Sequence, residues 1–277
     1  MRVDAKKLRS HFAVRKNPGR NAGIPPSIRQ ENLYRLDILK TVYRQLVNKI
    51  LEAFRAQIKR DLRSNELVNS TTDVNEIARQ MMQEHNPFIN WAKERESAAA
   101  TAQRNFERVD ESNRKQFNQS INQAIGVDLK TIVKNDAISR EILERSISNA
   151  KLIVTVPREK IGAIADIVNQ GLDRGDDFFN INKQVNSVFE QEQWKITRIA
   201  RDQVSKFNAS LNEIRQTQYG VTHYFWRTAG DERVRDSHAS KEGERFAWDS
   251  PPSDTGHPGE DINCRCYADP DLTSMTI

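Results

Sequence analysis

Cys264 and Cys266 are the chain's two cysteines, and they stand one residue apart. A disulfide between such close neighbours would close a small, strained ring and gain little loop-closure entropy. Two thiolates on a tight turn can instead approach one ion from the same side. His238 and His257, two of the five histidines, lie upstream on separate loops and can complete a tetrahedron. Zinc accepts mixed thiolate and imidazole ligands without redox chemistry, and a four-ligand Cys2His2 set with no open position is structural rather than catalytic. One structural zinc on His238, His257, Cys264 and Cys266 is therefore one reading of these residues. Two reduced, buried cysteines and two surface histidines are the other.

Carboxylates around this set have two readings as well. Asp231 or Asp236 can accept the free ring N–H of a ligand histidine and so fix its tautomer. The simpler reading is a turn after Gly230, with Asp231 bonding backbone amides and Arg233 or Arg235 pairing with it. Asp231 could also be a ligand itself in place of His257. His223 reads as a sheet residue, and His11 and His85 have no partner evident in the sequence. The chain contains no G-x-x-x-x-G-K-S/T loop, no G-x-G-x-x-G after a strand, no H-E-x-x-H helix and no G-x-S-x-G elbow. The chain is accordingly expected not to be an enzyme.

The elements that must position these residues are mostly helical. Charged residues make up 29% and aromatics 7%, which suits long helices with much exposed surface better than a thick core. Ser27-Ile28-Arg29-Gln30 reads as a capping box opening a helix to about Arg63, and Asp73 as the cap of a short helix to about Glu84. Asn86-Pro87 should open a helix that stops at Gly126. Residues 136–150 suggest another, with Ile138, Ile142 and Leu143 inward. Leu152 to Val156, ended by Pro157, reads as a strand or extended linker. Helices follow over 158–170, stopped by Gly171, over 181–190, capped by Asn180, and over 193–216, ended by Tyr219-Gly220. Val221 to Thr228 is the best strand, with 244–248 and 264–268 as partners in a small β-meander. The apolar stripes of the long helices pack in an antiparallel bundle or dock on a partner protein.

The first 20 residues hold seven basic side chains, Arg2, Lys6, Lys7, Arg9, Arg15, Lys16 and Arg20, against one acid, Asp4. With a net charge of +5, the rest of the chain is close to neutral. Such an arm reads as a contact for DNA or an acidic protein face, or as a solvated terminus. No apolar run approaches a membrane span and no secretory signal is evident. Two cysteines do not suggest a disulfide-built secreted protein.

From about residue 150 to 268 the sequence resembles the phage Mu F-type minor head proteins, the phage head morphogenesis family. The resemblance is carried by Trp226-Arg227-Thr228, Asp231-Glu232-Arg233-Val234, the His238 position, Gly243, Phe246, His257-Pro258 and Cys264-Arg265-Cys266. Upstream, Lys151 to Pro157 and Arg198-Ile199-Ala200-Arg201-Asp202-Gln203 match as well. Where many members carry Cys-x-x-Cys after the valine, this chain has Arg235 and His238. The resemblance implies a low-copy virion component acting in capsid assembly near the portal vertex, made in the host cytoplasm and then held in the head interior or at the vertex. It implies contacts with the portal protein and with major capsid or scaffolding protein, and the basic arm offers a contact with packaged DNA.

The expected fold is mainly α. An elongated helical N-terminal part with long amphipathic helices precedes a C-terminal α+β domain that ends in a small β-rich, zinc-pinned module. The expected parts are a basic arm (1–26), a helical domain (27–150), the Mu F-like domain (151–268) and a tail (269–277). The alternatives are a metal-dependent nuclease or other hydrolase, using Asp231, His238 and a metal-bound water, and a DNA-binding protein using the basic arm.

Overall fold

A computed structural model describes residues 23–63, 70–125, 135–191 and 193–275. The basic arm with Arg2, Lys6, Lys7, Arg9, Arg15, Lys16 and Arg20 lies outside them. The fold is mainly helical, 69% helix against 7% strand, with a small C-terminal sheet. The helices are α1 (Ile28–Asp37), α2 (Arg44–Arg63), α3 (Ser70–Met82), α4 (Trp91–Ile125), α5 (Asn135–Glu159), α6 (Ile161–Asp173), α7 (Phe178–Gln191), α8 (Gln193–Gln218) and the short α9 (Asp236–Ala239). Strands β1 (His223–Arg227), β2 (Arg245–Ala247) and β3 (Tyr267–Pro270) form an antiparallel sheet in the order β2-β1-β3. No helix among the described residues is long and apolar enough to cross a membrane.

Local chemistry explains most helix ends. Ser27 opens α1 as expected, accepting the Gln30 amide at its Oγ and the Glu31 amide at its carbonyl. A π-helical turn over Ile38–Tyr43 then separates α1 from α2. α3 begins at Ser70, ahead of the Asp73 cap expected from the sequence. Asn86 does not start α4. Its side chain instead ties a turn, accepting the amides of Phe88 and Ile89, and Asn90 caps the helix by accepting from Lys93. Asp177, not Asn180, caps α7.

Two corrections concern residues that usually break helices. Leu152 to Val156 is neither strand nor linker. It lies within α5, where Ile153, Val154 and Val156 are buried. β-Branched residues lower helix propensity only slightly, and burial of an apolar face outweighs that preference. Pro157 sits in the last turn of α5. Gly171 does not stop α6. It is buried within the helix because a Cβ there would stand 2.6 Å from the Ile181 side chain. The stop is Gly175, in the left-handed region at φ 76°, beside an Asp176 amide that reaches back to the Gly171 carbonyl. Of the three residues expected inward on α5, Ile138 and Ile142 are buried but Leu143 is 55% exposed.

The residues divide into two compact units. One comprises Asn32–Gln103 and Glu144–Ala200. There α3 packs on α6 and α6 on α7, around Met81, Trp91, Ile161, Ile164, Val168, Ile181 and Val185. The Trp91 indole donates to the Met81 carbonyl at 2.8 Å, and the Arg158 guanidinium covers its ring.

The other unit comprises Met1–Glu31, Arg104–Leu143 and Arg201–Ile277. Phe106 meets Phe207 at 4.8 Å, and Phe117 stacks on Tyr219 beside Ile24, Ile121 and Val221. A buried polar network runs beneath. Asn113 donates to Asn208 and Asn212, both of these donate to the Ile24 carbonyl, and Arg215 reaches Asn113 and Asp110. Gly220, at φ 75°, ends α8 as expected and turns the chain into β1. β1 lies between its two partners, so the sheet is not the meander expected from the sequence.

Candidate metal centre

The centre is built on the inner face of β1. The strand buries alternate residues, Tyr224 and Trp226, and these pack with Cys264, Cys266 and Ala268 beneath Phe246 and Trp248. After β1 the chain turns at Gly230 and enters α9, which carries His238 inward at 2% exposure. On the other side, Asn263 takes the left-handed conformation at φ 56° and donates its amide to Asp202 at 2.7 Å. This turn delivers Cys264 and Cys266 to the same spot, with both side chains buried.

His238, Cys264 and Cys266 bring one ligand atom each to within 4.8 Å of one another. His238 Nδ1 lies 3.4 Å from Cys264 Sγ and 3.5 Å from Cys266 Sγ. Ligands on a tetrahedral zinc ion, at bond lengths of about 2.1 Å to nitrogen and 2.3 Å to sulfur, stand roughly 3.6 Å apart, so the donor set fits such an ion. His238 Nε2 is 2.9 Å from the Asp261 carboxylate. An ionised carboxylate can only accept, which assigns the ring proton to Nε2 and leaves the Nδ1 lone pair facing the two sulfurs. The Trp226 ring meets His238 edge-on at 5.4 Å and limits its rotation.

The two thiols form one electrostatic unit. A hydrogen bond from Cys266 draws the Cys264 pKa down against the opposing effect of burial, and the backbone amides of Cys266 and Gly259 and the nearby His238 help. Cys266 is pushed up by the same hydrogen bond, by burial and by the Cys264 charge, while the Trp226 indole favours its thiolate. A cation placed among these groups would relieve the thiolate repulsion that keeps Cys266 protonated.

His257 does not join the three. Its Nδ1 lies 2.9 Å from the Tyr224 hydroxyl, its ring packs on Trp248 at 4.9 Å, and its amide donates to Glu260. Burial raises the Tyr224 pKa, which keeps the phenol protonated as the donor to that ring. The carboxylate on the His238 ring is Asp261, in place of Asp231 or Asp236. Asp231 accepts the Arg233 amide and stands 3.6 Å from the Arg233 guanidinium, as the turn reading anticipated, and it is held as well by both terminal nitrogens of Arg265, which that reading did not name. Arg265 holds its carboxyl down at about 2. Asp236 opens α9 and is exposed. Asp261 escaped the sequence reading, although its place three residues before Cys264, in the turn closed by its own carbonyl, was a usable signal.

On its open side the cluster borders a cavity of about 190 Å³. Arg201, Arg233, Arg235, Arg265 and Asn263 line it beside the three ligands. His238, Cys264 and Cys266 could thus hold an ion with a fourth position facing this space.

Residues 162–268, from α6 into β3, match the family described as Phage Mu protein F like protein. The cluster, Asp261 and His257 all lie within the match. An uncharacterized protein of Haemophilus influenzae (strain ATCC 51907 / DSM 11121 / KW20 / Rd) is 33% identical over 166 residues. That alignment covers 60% of this chain and 37% of the relative, so the chain spans well under half of that protein's length. No solved structure matches the chain. The helical body, the three-stranded module with its His/Cys/Cys cluster and the family match agree, and residues 162–268 of this chain are similar to the phage Mu protein F like family.

Proposed function

We propose that the chain is a minor head protein acting in phage head morphogenesis near the portal vertex. The observation that carries this reading is the family match over residues 162–268, which spans the buried module. Its partners in this reading are the portal protein and major capsid or scaffolding protein, with the basic arm of residues 1–26 on packaged DNA. The protein passes from the host cytoplasm into the virion. Residues 27–150 serve as a helical tether and residues 151–268 as the head-morphogenesis domain, followed by the tail 269–277. A zinc ion on His238, Cys264 and Cys266 braces the module, supplying cross-links that its small sheet lacks.

The hydrolase reading is less well supported. Asp231, which that reading invokes, is engaged by Arg265, and no carboxylate lines the cavity. The test is to assemble heads without this protein and to probe purified heads for it. Loss of packaged, infectious particles, with the protein found at a few copies per wild-type head, supports the assignment. Unchanged yield, packaging and infectivity would overturn it.

A further inference from the structure

We infer that the cavity beside the cluster is an oxyanion site, and that a phosphate group occupies the fourth position of the ion held by His238, Cys264 and Cys266. The inference rests on the metal reading above and adds a ligand to it. The charged side chains lining the cavity, apart from the cysteines, are four arginines. Their acidic partners do not line it. Arg201 stands 3.7 Å from Glu31, Arg233 3.6 Å from Asp231 and Arg235 3.7 Å from Asp261. These are charge contacts beyond hydrogen-bond length, so the Arg201 and Arg233 forks can turn to an anion without breaking a short bond. Arg235 also donates to the Ile262 carbonyl at 2.7 Å, and Arg265 is fully engaged by Asp231, so these two contribute mainly charge.

Asn263 supplies the second observation. Its Oδ1 is buried without a hydrogen-bond partner at the cavity wall. A half-turn of the amide presents Nδ2 and two N–H donors in its place. Several donors around an open metal position select for shape. A carboxylate with one oxygen on the ion has one oxygen left, whereas a phosphate keeps two or three to engage separate guanidinium groups. The phosphate can be free or part of a nucleic-acid backbone, where each diester keeps one charged oxygen beyond that on the ion and the neighbouring phosphates of the strand supply the others.

The test uses the full chain with its metal content measured first, then replaced by cobalt(II), whose visible spectrum reports its ligands. Inorganic phosphate should change that spectrum saturably, chloride at equal ionic strength should not, and Arg233→Ala should weaken the phosphate effect about tenfold, as loss of one charge-assisted hydrogen bond implies. Arg233→Lys should restore part of it. A single-stranded oligonucleotide lacking terminal phosphates that gives the same change assigns the group to nucleic acid. A response to phosphate alone assigns it to the free ion, and either response upholds the site. A spectrum indifferent to phosphate, or equally sensitive to chloride, overturns this inference and leaves the metal reading intact. Failure to bind zinc or cobalt overturns both.

Discussion

The Gly23 amide donates to the Asp269 carboxylate at 2.9 Å, joining positions 246 residues apart inside one compact unit. The contact is close enough that a Cβ on Gly23 would stand 2.7 Å from the Ala268 carbonyl. Next to it, Ile24 packs beside the stacked rings of Phe117 and Tyr219, and its carbonyl accepts from Asn208 and Asn212. The family match begins at residue 162, yet part of its core comes from residues near position 24.

Substitutions in this strap should therefore destabilise the C-terminal module. Ile24→Ala, which removes a buried side chain, should cost about 2–5 kcal/mol. Gly23→Ala should cost about 1–3 kcal/mol through overpacking. Chemical denaturation of each variant, followed by the fluorescence of buried Trp226, measures both. Midpoints unchanged from wild type would refute the strap's structural role.

The Arg215–Asp110 pair makes a second case. Arg215 is 0% exposed, and its charge is balanced by Asp110. Asp110→Ala leaves that charge buried and should cost about 3–5 kcal/mol, whereas a double change to Asp110→Ala with Arg215→Met should recover much of the loss. A double-mutant cycle on unfolding free energies reads the coupling directly.

Metal retention separates Asp261 from Asp231. Cys264→Ser with Cys266→Ser should abolish zinc binding, and chelation of the native protein should lower its melting temperature. Asp261→Asn should weaken zinc affinity about 10–100-fold, because the His238 ring loses its anionic acceptor. Asp231→Asn should leave affinity near wild type, since Asp231 bonds Arg265 rather than the ring. Competition with a chromophoric chelator ranks the three.

Acid should find the Asp231–Arg265 pair. The guanidinium hydrogen bonds hold Asp231 at about 2, below the ordinary 3.8. A depressed carboxylate stabilises the fold above its unfolded pKa and loses that contribution as pH falls through the folded value. The stability difference between wild type and Asp231→Asn should be constant above about pH 5 and shrink between about 4 and 2. Urea midpoints across that range test it, and a gap that persists at pH 2 would discard the pair as its source.

Some of this was legible from residue types alone. β1 announced itself by its content of Tyr, Phe, Trp and Thr, and the spacing of Cys264 and Cys266 led to His238. Ser27 and Gly220 kept the terminal roles that their chemistry suggests. What escaped was non-local. His257 looked like a ligand because its partner, Tyr224, comes from a strand 33 positions earlier. Leu152 to Val156 carries a strand-like composition, and only the packing of α5 makes it helical. Gly171 carried a stop signal, but the closeness of Ile181 explains it. Nothing in the spacing of polar residues announced the network of Asn113, Asn208, Asn212 and Arg215, because its members meet only once α4 and α8 are packed.

The strap also imposes an order on synthesis. A ribosome adding about 5–20 residues per second needs roughly 12–50 s to travel from Gly23 to Asp269. Until then Ile24 has no finished seat and the aromatic seam it covers stays open to water. The nascent chain thus carries an uncovered sticky surface for most of its translation, an opening for chaperones and for premature pairing between neighbouring copies on one message.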